Sequence, residues 1–214
     1  MGIGDMSLSD ENPEDISEDD IDEIPSEEDL EPIEPVEVTL SDGKVYVDKD
    51  NADRISQQGF YGTMCEDGRL ELSPVETLHL LERKRISIRG SNGERVSADH
   101  IVRMNLMTDP DLWTNYLVFR DLRSRGYAVR QGFGNGLGFR VYARGEKPGS
   151  ATANQMVYVL REGEPVNLHT LDMITQATSA ARKKLVFALV DQNGEVNYYK
   201  VGQALLQNRV GEHD

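Results

Sequence analysis

The stretch that most constrains this chain runs from Tyr116 to Gly145, YLVFRDLRSRGYAVRQGFGNGLGFRVYARG. Upstream and within it, apolar residues fall at Leu112, Trp113, Tyr116, Leu117, Phe119 and Leu122. That spacing predicts a helix with one broad apolar face. Thr108 and Asp109 are candidate caps, Pro110 suits the first helical position, and Gly126 suits the stop. Two short apolar runs follow, Tyr127 to Val129 and Phe139 to Tyr142, joined by a loop holding Gly132, Gly134, Gly136 and Gly138. The expectation is helix, strand, open glycine loop, strand, with Tyr142 near a strand end.

The rest of the chain divides by charge. The formal net charge is −15, yet sixteen of the 38 acids lie in residues 1–37, where no Lys or Arg occurs. The other 22 acids face 23 bases, so the remainder is nearly neutral. Residues 1–37 also carry few large apolar side chains and have Pro at 13, 25, 32 and 35. Such a segment cannot bury enough surface to offset chain entropy, so a disordered acidic tail is expected. It would solubilise the protein or bind a partner. Being anionic, it would not itself hold RNA phosphates. Cys65 is the sole cysteine, so no intrachain disulfide or cysteine metal cluster is expected. The longest purely apolar run, Leu185 to Val190, is far shorter than a membrane span. A soluble cytoplasmic protein without cofactor, metal or membrane contact is the expectation.

Two folded parts are expected, residues 38–107 as a small N-terminal α/β domain and 108–214 as a C-terminal domain. In the first, Val38 to Leu40 and Lys44 to Asp48 flank Ser41-Asp-Gly, a hairpin signal. Leu70 to Leu72 leads into Ser73-Pro74-Val75-Glu76, a capping box with proline at N1. That helix turns Val75, Leu78 and Leu81 inward and ends near Lys84. Arg85 to Arg89 and Glu94 to Val96 flank an Asn-Gly turn. His79 and His100 have no ligand-spaced partner and are read as ordinary core or surface residues. In the second part a loop, Ala143 to Ala153, precedes a strand over Met156 to Arg161. A helix from Asn167 to Arg182 presents Leu171, Ile174, Thr178 and Ala181 on one face, and a hairpin over Leu185 to Val201 turns at Gln192 to Glu195. Strands interleaved with helices imply an α/β (α+β) chain with a mixed sheet under helical cover.

The order of RDLRSRGY, GF, a glycine turn and FRVY-x-RG resembles the C-terminal domain of archaeal tRNA-splicing endonucleases. The likeness continues through ARKKLVFALVDQNGEVNYYKV at 181–201 and, more faintly, through 61–86, so it covers roughly residues 60–202. The resemblance implies a nuclease-type mixed sheet and metal-independent cleavage of precursor tRNA to 2′,3′-cyclic phosphate and 5′-hydroxyl ends. Such chemistry needs a base for the 2′-hydroxyl, an acid for the leaving oxygen and a cation for the phosphorane. In this family a tyrosine, a histidine and a lysine take those roles in that order. The matching positions are Tyr142 in FRVY and Lys183 before the LVFALVD strand, with Lys184 as the other register. The histidine slot falls on Ala153 or Asn154, neither of which can serve as the acid. His169 lies about fifteen residues further on.

The resemblance further implies a four-unit assembly, built with a catalytic subunit of the same family or with copies of this chain. Without the histidine, the chain resembles a structural subunit. Its last strand, with Val196, Tyr198 and Tyr199, would pair edge to edge with another subunit, and the acidic turn from Asp191 to Glu195 would dock in a basic cleft. An exposed strand bearing two tyrosines needs a cover in any case. Arg140, Arg144 and Arg182 flank the expected site and could hold phosphates. Taken alone, Tyr142 is a strand aromatic and Lys183 a cation at a helix C-terminus. The glycine-rich loop lacks the Gly-Lys-Ser/Thr ending of a phosphate loop. Three alternatives stand beside the structural subunit. The chain could cleave RNA itself through Tyr142 and Lys183, with water or His169 as the acid. It could be a non-catalytic RNA-binding module. A metal-dependent nuclease ranks last, for want of an Asp…Glu-x-Lys pattern.

Overall fold

In a computed structural model of the protein, residues 34–134 and 137–202 are described, the side chains of residues 133 and 134 excepted. The expected acidic tail lies outside the described residues up to residue 33. Its last residues do not belong to it, because Val36 and Glu37 open the first strand.

Strand β1 (Val36–Ser41) and strand β2 (Lys44–Val47) form the expected hairpin, closed by Asp42 and Gly43 at φ 52° and 76°. Two consecutive positive φ values match the twist of the flanking strands. Helix α1 (Lys49–Gly59) follows, then β3 (Thr63–Met64), β4 (Leu70–Leu72) and α2 (Pro74–Glu82). The capping box is formed as expected. Ser73 Oγ accepts from the Glu76 amide, and the Glu76 carboxylate accepts from the Ser73 amide. Strands β5 (Ile86–Gly90) and β6 (Arg95–Val96) lead to α3 (Ala98–Leu106). The sheet order is β3-β4-β2-β1-β5-β6, with β1 and β5 parallel and the other pairs antiparallel.

The second sheet follows α4 (Leu112–Ser124) and comprises β7 (Val129–Gly134), β8 (Leu137–Val141), β9 (Gln155–Arg161), β10 (Lys184–Val190) and β11 (Val196–Val201). Its order is β11-β10-β9-β8-β7. Only β9 and β10 run parallel, and the crossover between them carries α5 (Leu168–Ala180). The described residues are therefore mixed α+β, with two mixed sheets and five helices. None of those helices is long and apolar enough to cross a membrane.

Helix α4 lies between α2 and α3 on one side and strands β7, β9, β10 and β11 on the other. It buries Leu112, Tyr116, Val118, Phe119 and Leu122 in one apolar cluster that also takes in side chains of both sheets. Each fully buried side chain of this size contributes about 1.5–3 kcal/mol. Three expectations for this region need correction. The helix starts at Leu112 with Asp111 as N-cap, because the Asp109 carboxylate accepts the Asp111 amide and turns the chain before it enters the helix. Trp113 points away from the stripe and is 51% exposed. The glycines do not form an open loop: Gly132, Gly134 and Gly138 sit within β7 and β8, and Gly136 lies outside the described residues. A Cβ on Gly132 would stand 1.9 Å from the Leu137 carbonyl oxygen, so glycine here permits close strand approach. In α5, Ile174 and Thr178 face the sheet as expected, while Ala181 falls past the helix end and is exposed.

Helices α2, α4 and α5 stop in the same way. The amides of Arg85, Tyr127 and Lys183 reach back five residues to the carbonyls of Leu80, Leu122 and Thr178, and those of Lys84, Gly126 and Arg182 reach back three. This is the Schellman arrangement, which needs a left-handed residue just past the helix. Gly126 supplies it freely at φ 80°, but Lys84 and Arg182 adopt φ 54° and 53°.

The buried turn after α1 is held from three sides. Arg123 Nη1 donates to the Gly59 carbonyl at 3.0 Å, and its Nη2 to the Tyr61 hydroxyl at 2.8 Å. Arg130 Nη1 donates to the Phe60 carbonyl at 2.7 Å and also to that of Gly62. The Gly62 amide donates to Glu76 Oε1 at 3.0 Å. Replacing Arg130 with alanine leaves two carbonyls unpaired at about 1–3 kcal/mol each. Arg130→Ala should therefore lower unfolding free energy in urea by roughly 2–4 kcal/mol, whereas Arg103→Ala, on the open face of α3, should change it by less than about 0.5 kcal/mol.

His79 is buried between the Tyr61 and Phe119 rings, and its Nδ1 has no hydrogen-bond partner. Burial, helped by the positive charges of Arg123 and Arg83, pulls the imidazole from 6.5 down to about 4. The unfolded imidazole therefore takes up a proton near pH 6 that the folded one refuses. Stability should be full above about pH 6.5 and fall as the pH drops toward 4. Urea titrations between pH 7 and 5 should show this fall, and His79→Leu should flatten it.

Candidate functional site

The ends of three adjacent strands bring the sequence-derived site positions together. Strand β8 pairs antiparallel with β9 through Val141 and Gln155, and β9 pairs parallel with β10 through Gln155 and Lys184. One step beyond those pairs, the Asn154 amide donates to the Val141 carbonyl at 3.1 Å, and the Asn154 carbonyl accepts from the Lys184 amide at 3.0 Å. Tyr142, Asn154 and Lys183 therefore form a row across the sheet end, with Asn154 in the middle. Adjacent strands lie about 4.8 Å apart, so the two outer positions are roughly 10 Å apart at the backbone.

Tyr142 sits one residue beyond β8, and its amide donates to the Ala128 carbonyl at 3.0 Å. Its ring is 6% exposed and packs with Ala128, Ala153 and Phe60. Ala153 thus serves as a floor for the tyrosine. Asn154 is half-buried, and its Oδ1 is a buried acceptor without a partner. Lys183 is half-buried at the foot of β10, its backbone fixed by the Thr178 carbonyl. Lys184, the other register considered, is exposed as the first residue of β10. His169 lies in the first turn of α5, exposed, with its amide donating to Asn167 Oδ1.

The three arginines diverge. Arg140 Nε donates to the Gln131 carbonyl at 2.9 Å and lines a cleft of about 420 Å³ with Arg130, Lys44 and Glu71. The Arg144 guanidinium stands 5.3 Å above the Tyr127 ring, and Arg182 is exposed at the left-handed residue after α5. From sequence Arg123 and Arg130 read as cations solvating a helix face, whereas their contacts cross from one half of the chain to the other. No local spacing signals this, because the carbonyls of Gly59, Phe60 and Gly62 and the Tyr61 hydroxyl are far away in sequence.

The final hairpin closes one edge of the second sheet. Asp191 Oδ1 accepts the amides of Asn193 and Glu195 and shapes the turn from within. Val196 is half-buried, Glu195 is exposed, and Tyr199 is 53% exposed. Tyr198 turns inward, donating its hydroxyl to Asp121 Oδ2 at 2.7 Å under the Arg125 guanidinium. Burial and that carboxylate both push the phenol upward. Only one of the two tyrosines is thus offered outward.

Two mixed sheets, the second ending in a row with tyrosine and lysine at its flanks, define the class of domain pair to compare with known proteins. Residues 36–102 match the N-terminal domain of the tRNA intron endonuclease, and residues 112–198 match the catalytic C-terminal domain of the tRNA intron endonuclease. The chain belongs to the tRNA intron endonuclease family. It is 35% identical over 150 residues to a tRNA-splicing endonuclease of Methanothermobacter thermautotrophicus, covering 70% of this chain and 86% of that one. A tRNA-splicing endonuclease of Methanococcus vannielii is 33% identical over 172 residues, with 80% and 96% covered. The Methanococcoides burtonii protein of the same name is 31% identical over 169 residues, covering 79% of this chain but 47% of the longer relative.

Tyr198→Phe removes a hydrogen bond to a carboxylate and should cost about 1.5–3 kcal/mol in a denaturation experiment. Tyr199→Phe, with its ring outward, should stay within about 0.5 kcal/mol.

Proposed function

We propose that this chain is a structural subunit of a tRNA-splicing endonuclease, supplying architecture and RNA surface to a catalytic subunit of the same family. The observation that carries this reading is Asn154 in the middle of the row between Tyr142 and Lys183. An amide has no proton to give the leaving 5′-oxygen at neutral pH, so the general acid is missing from the position where both neighbours could use it. The substrate is precursor tRNA. The reaction of the assembly breaks the phosphodiester by attack of the 2′-oxygen, leaving a 2′,3′-cyclic phosphate and a 5′-hydroxyl, with no metal. The second sheet's open edge at β11, with Tyr199 outward and the Asp191–Glu195 turn beside it, is the surface that would pair with another unit. That the chain matches about half of the Methanococcoides relative fits a protein built from repeated units of this size. A protein acting on tRNA works in the cytoplasm of an archaeal cell.

The second reading is that the chain cleaves RNA by itself, slowly. Tyr142 and Lys183 flank one position in register, and loss of one general acid commonly costs ~10²- to 10⁴-fold rather than all activity.

An intron-containing precursor tRNA, incubated in EDTA with this chain alone and then with catalytic subunits, separates the two. Under the structural reading the lone chain is silent, a catalytic subunit restores cleavage, and Tyr142→Phe in this chain has no effect. Cleavage by the lone chain that slows with Tyr142→Phe would establish the second reading. Asn154→His should give the lone chain new cleavage, measurable as about 10²-fold or more above the unaltered chain, and Tyr142→Phe should remove that gain.

A further inference from the structure

Tyr142 stands at one end of the row with its backbone fixed, since its amide donates to the Ala128 carbonyl at 3.0 Å. No hydrogen bond holds its hydroxyl among the described residues. The direction of the phenol therefore rests on packing. The apolar side chains in its cluster are Ala128, Ala153 and Phe60. An alanine methyl has one position and little reach, so Phe60 is the one large wall of that cluster.

Phe60 is an unusual residue for its place. It caps the end of α1 in the left-handed conformation, at φ 58° and ψ 37°. Glycine suits such a stop, whereas a side chain there is strained. The ordinary account would be that the ring seals the core of its own helix. Ala52 and Ile55 of α1 do enter the large apolar cluster, but Phe60 is not among the half-buried side chains packed against it. Its ring goes to Tyr142 instead. A glycine at this position would end the helix without strain and leave the phenol between two methyl groups.

The wall and the tyrosine are tied to one short stretch of chain. Arg130, the second residue of β7, donates through Nη1 to the Phe60 carbonyl at 2.7 Å, and also to that of Gly62. Arg123 holds the carbonyl of Gly59, just before the ring. Ala128, two residues before Arg130, both packs against the phenol and accepts the Tyr142 amide. The backbones of Phe60 and Tyr142 are thus both referred to residues 128–130, although the two lie in different halves of the chain.

We propose that Phe60 is a positioning residue for Tyr142: its ring confines the phenol to one rotamer and so holds ready a tyrosine that meets RNA at the sheet end. The contact with RNA rests on the RNA-binding part of the proposed function, and not on whether this chain cleaves. A confined tyrosine gives up little side-chain freedom when RNA arrives. An unconfined one loses that freedom on binding, which weakens the complex.

The test has two measurements on the full chain. Three-bond couplings from the backbone nitrogen and carbonyl carbon to Cγ of Tyr142, assigned by their loss in Tyr142→Leu, read its χ1 rotamer. The unaltered chain should show one staggered rotamer. Phe60→Gly, which suits the left-handed backbone and so keeps the fold, should show an average over two or more, as should Phe60→Ala. Phe60→Leu, which keeps a bulky wall, should restore the single rotamer, and Tyr198→Phe should leave it unchanged. One rotamer in Phe60→Gly and Phe60→Ala, or several in the unaltered chain, overturns the proposal. The second measurement is affinity for an intron-containing precursor tRNA. Phe60→Gly should weaken it several-fold, and should have no further effect in Tyr142→Leu. Equal losses in both backgrounds would show Phe60 acting apart from Tyr142 and overturn the proposal. A loosened tyrosine with unchanged affinity overturns its contact with RNA. If the unaltered chain fails to bind precursor tRNA, the RNA reading of the proposed function falls, while the couplings still decide whether Phe60 positions Tyr142.

Discussion

The arrangement depends first on a buried turn that cannot satisfy its own backbone. Gly59 to Gly62 leaves α1 through a left-handed Phe60 at φ 58° and a Gly62 at φ 71°, so its carbonyls point away from any ladder. In a low-dielectric interior each unpaired group would be costly. Arg123 and Arg130 come from α4 and β7 to accept that task, and Glu76 from α2 takes the one amide. The carbonyls of this connection in the first sheet are thereby satisfied by residues of the second half of the chain. A Cβ on Gly59 would stand 2.3 Å from Arg123 Nη2, so glycine here is a condition of the contact.

The elements legible in the sequence were those with their own local chemistry. The capping box at Ser73, the Asp-Gly and Asn-Gly turns and the alternation through β10 and β11 need no partner to be recognised. Helix α1 was not legible, because it buries only Ala52, Ile55 and Gly59 and Asp48 makes no side-chain cap. Its stability comes from tertiary contact, which no window of eleven residues can reveal. The glycine run misled for a related reason. Its residues serve strand-to-strand approach, and composition alone reads the same letters as a loop.

At the candidate site the pattern is similar. Motif order located Tyr142 and Lys183, and strand pairing explains why residues more than forty positions apart belong to one row. The sequence left Ala153 and Asn154 as equal occupants of the middle slot. Register separates them, with Ala153 beneath the tyrosine ring and Asn154 between the two outer positions. In that middle position Asn154 Oδ1 is a buried acceptor that finds no donor among the described residues. The arginines were placed by proximity in sequence, but Arg140 belongs to strand β8, Arg144 to the turn after it and Arg182 to the stop of α5, so nearness in sequence does not bring them together.

The way α5 stops has a consequence for how this surface can change over time. Lys183 is positioned by a backbone bond to Thr178 and by one strained residue, Arg182, neither of which depends on the outer side chains of the helix. A left-handed residue with a side chain costs about 1–2 kcal/mol, an expense glycine would spare but with a looser chain in exchange. The lysine is thus indexed to a stop signal. Substitutions can accumulate along the outward face of α5, altering what the helix meets, while the backbone of Lys183 keeps its place at the sheet end.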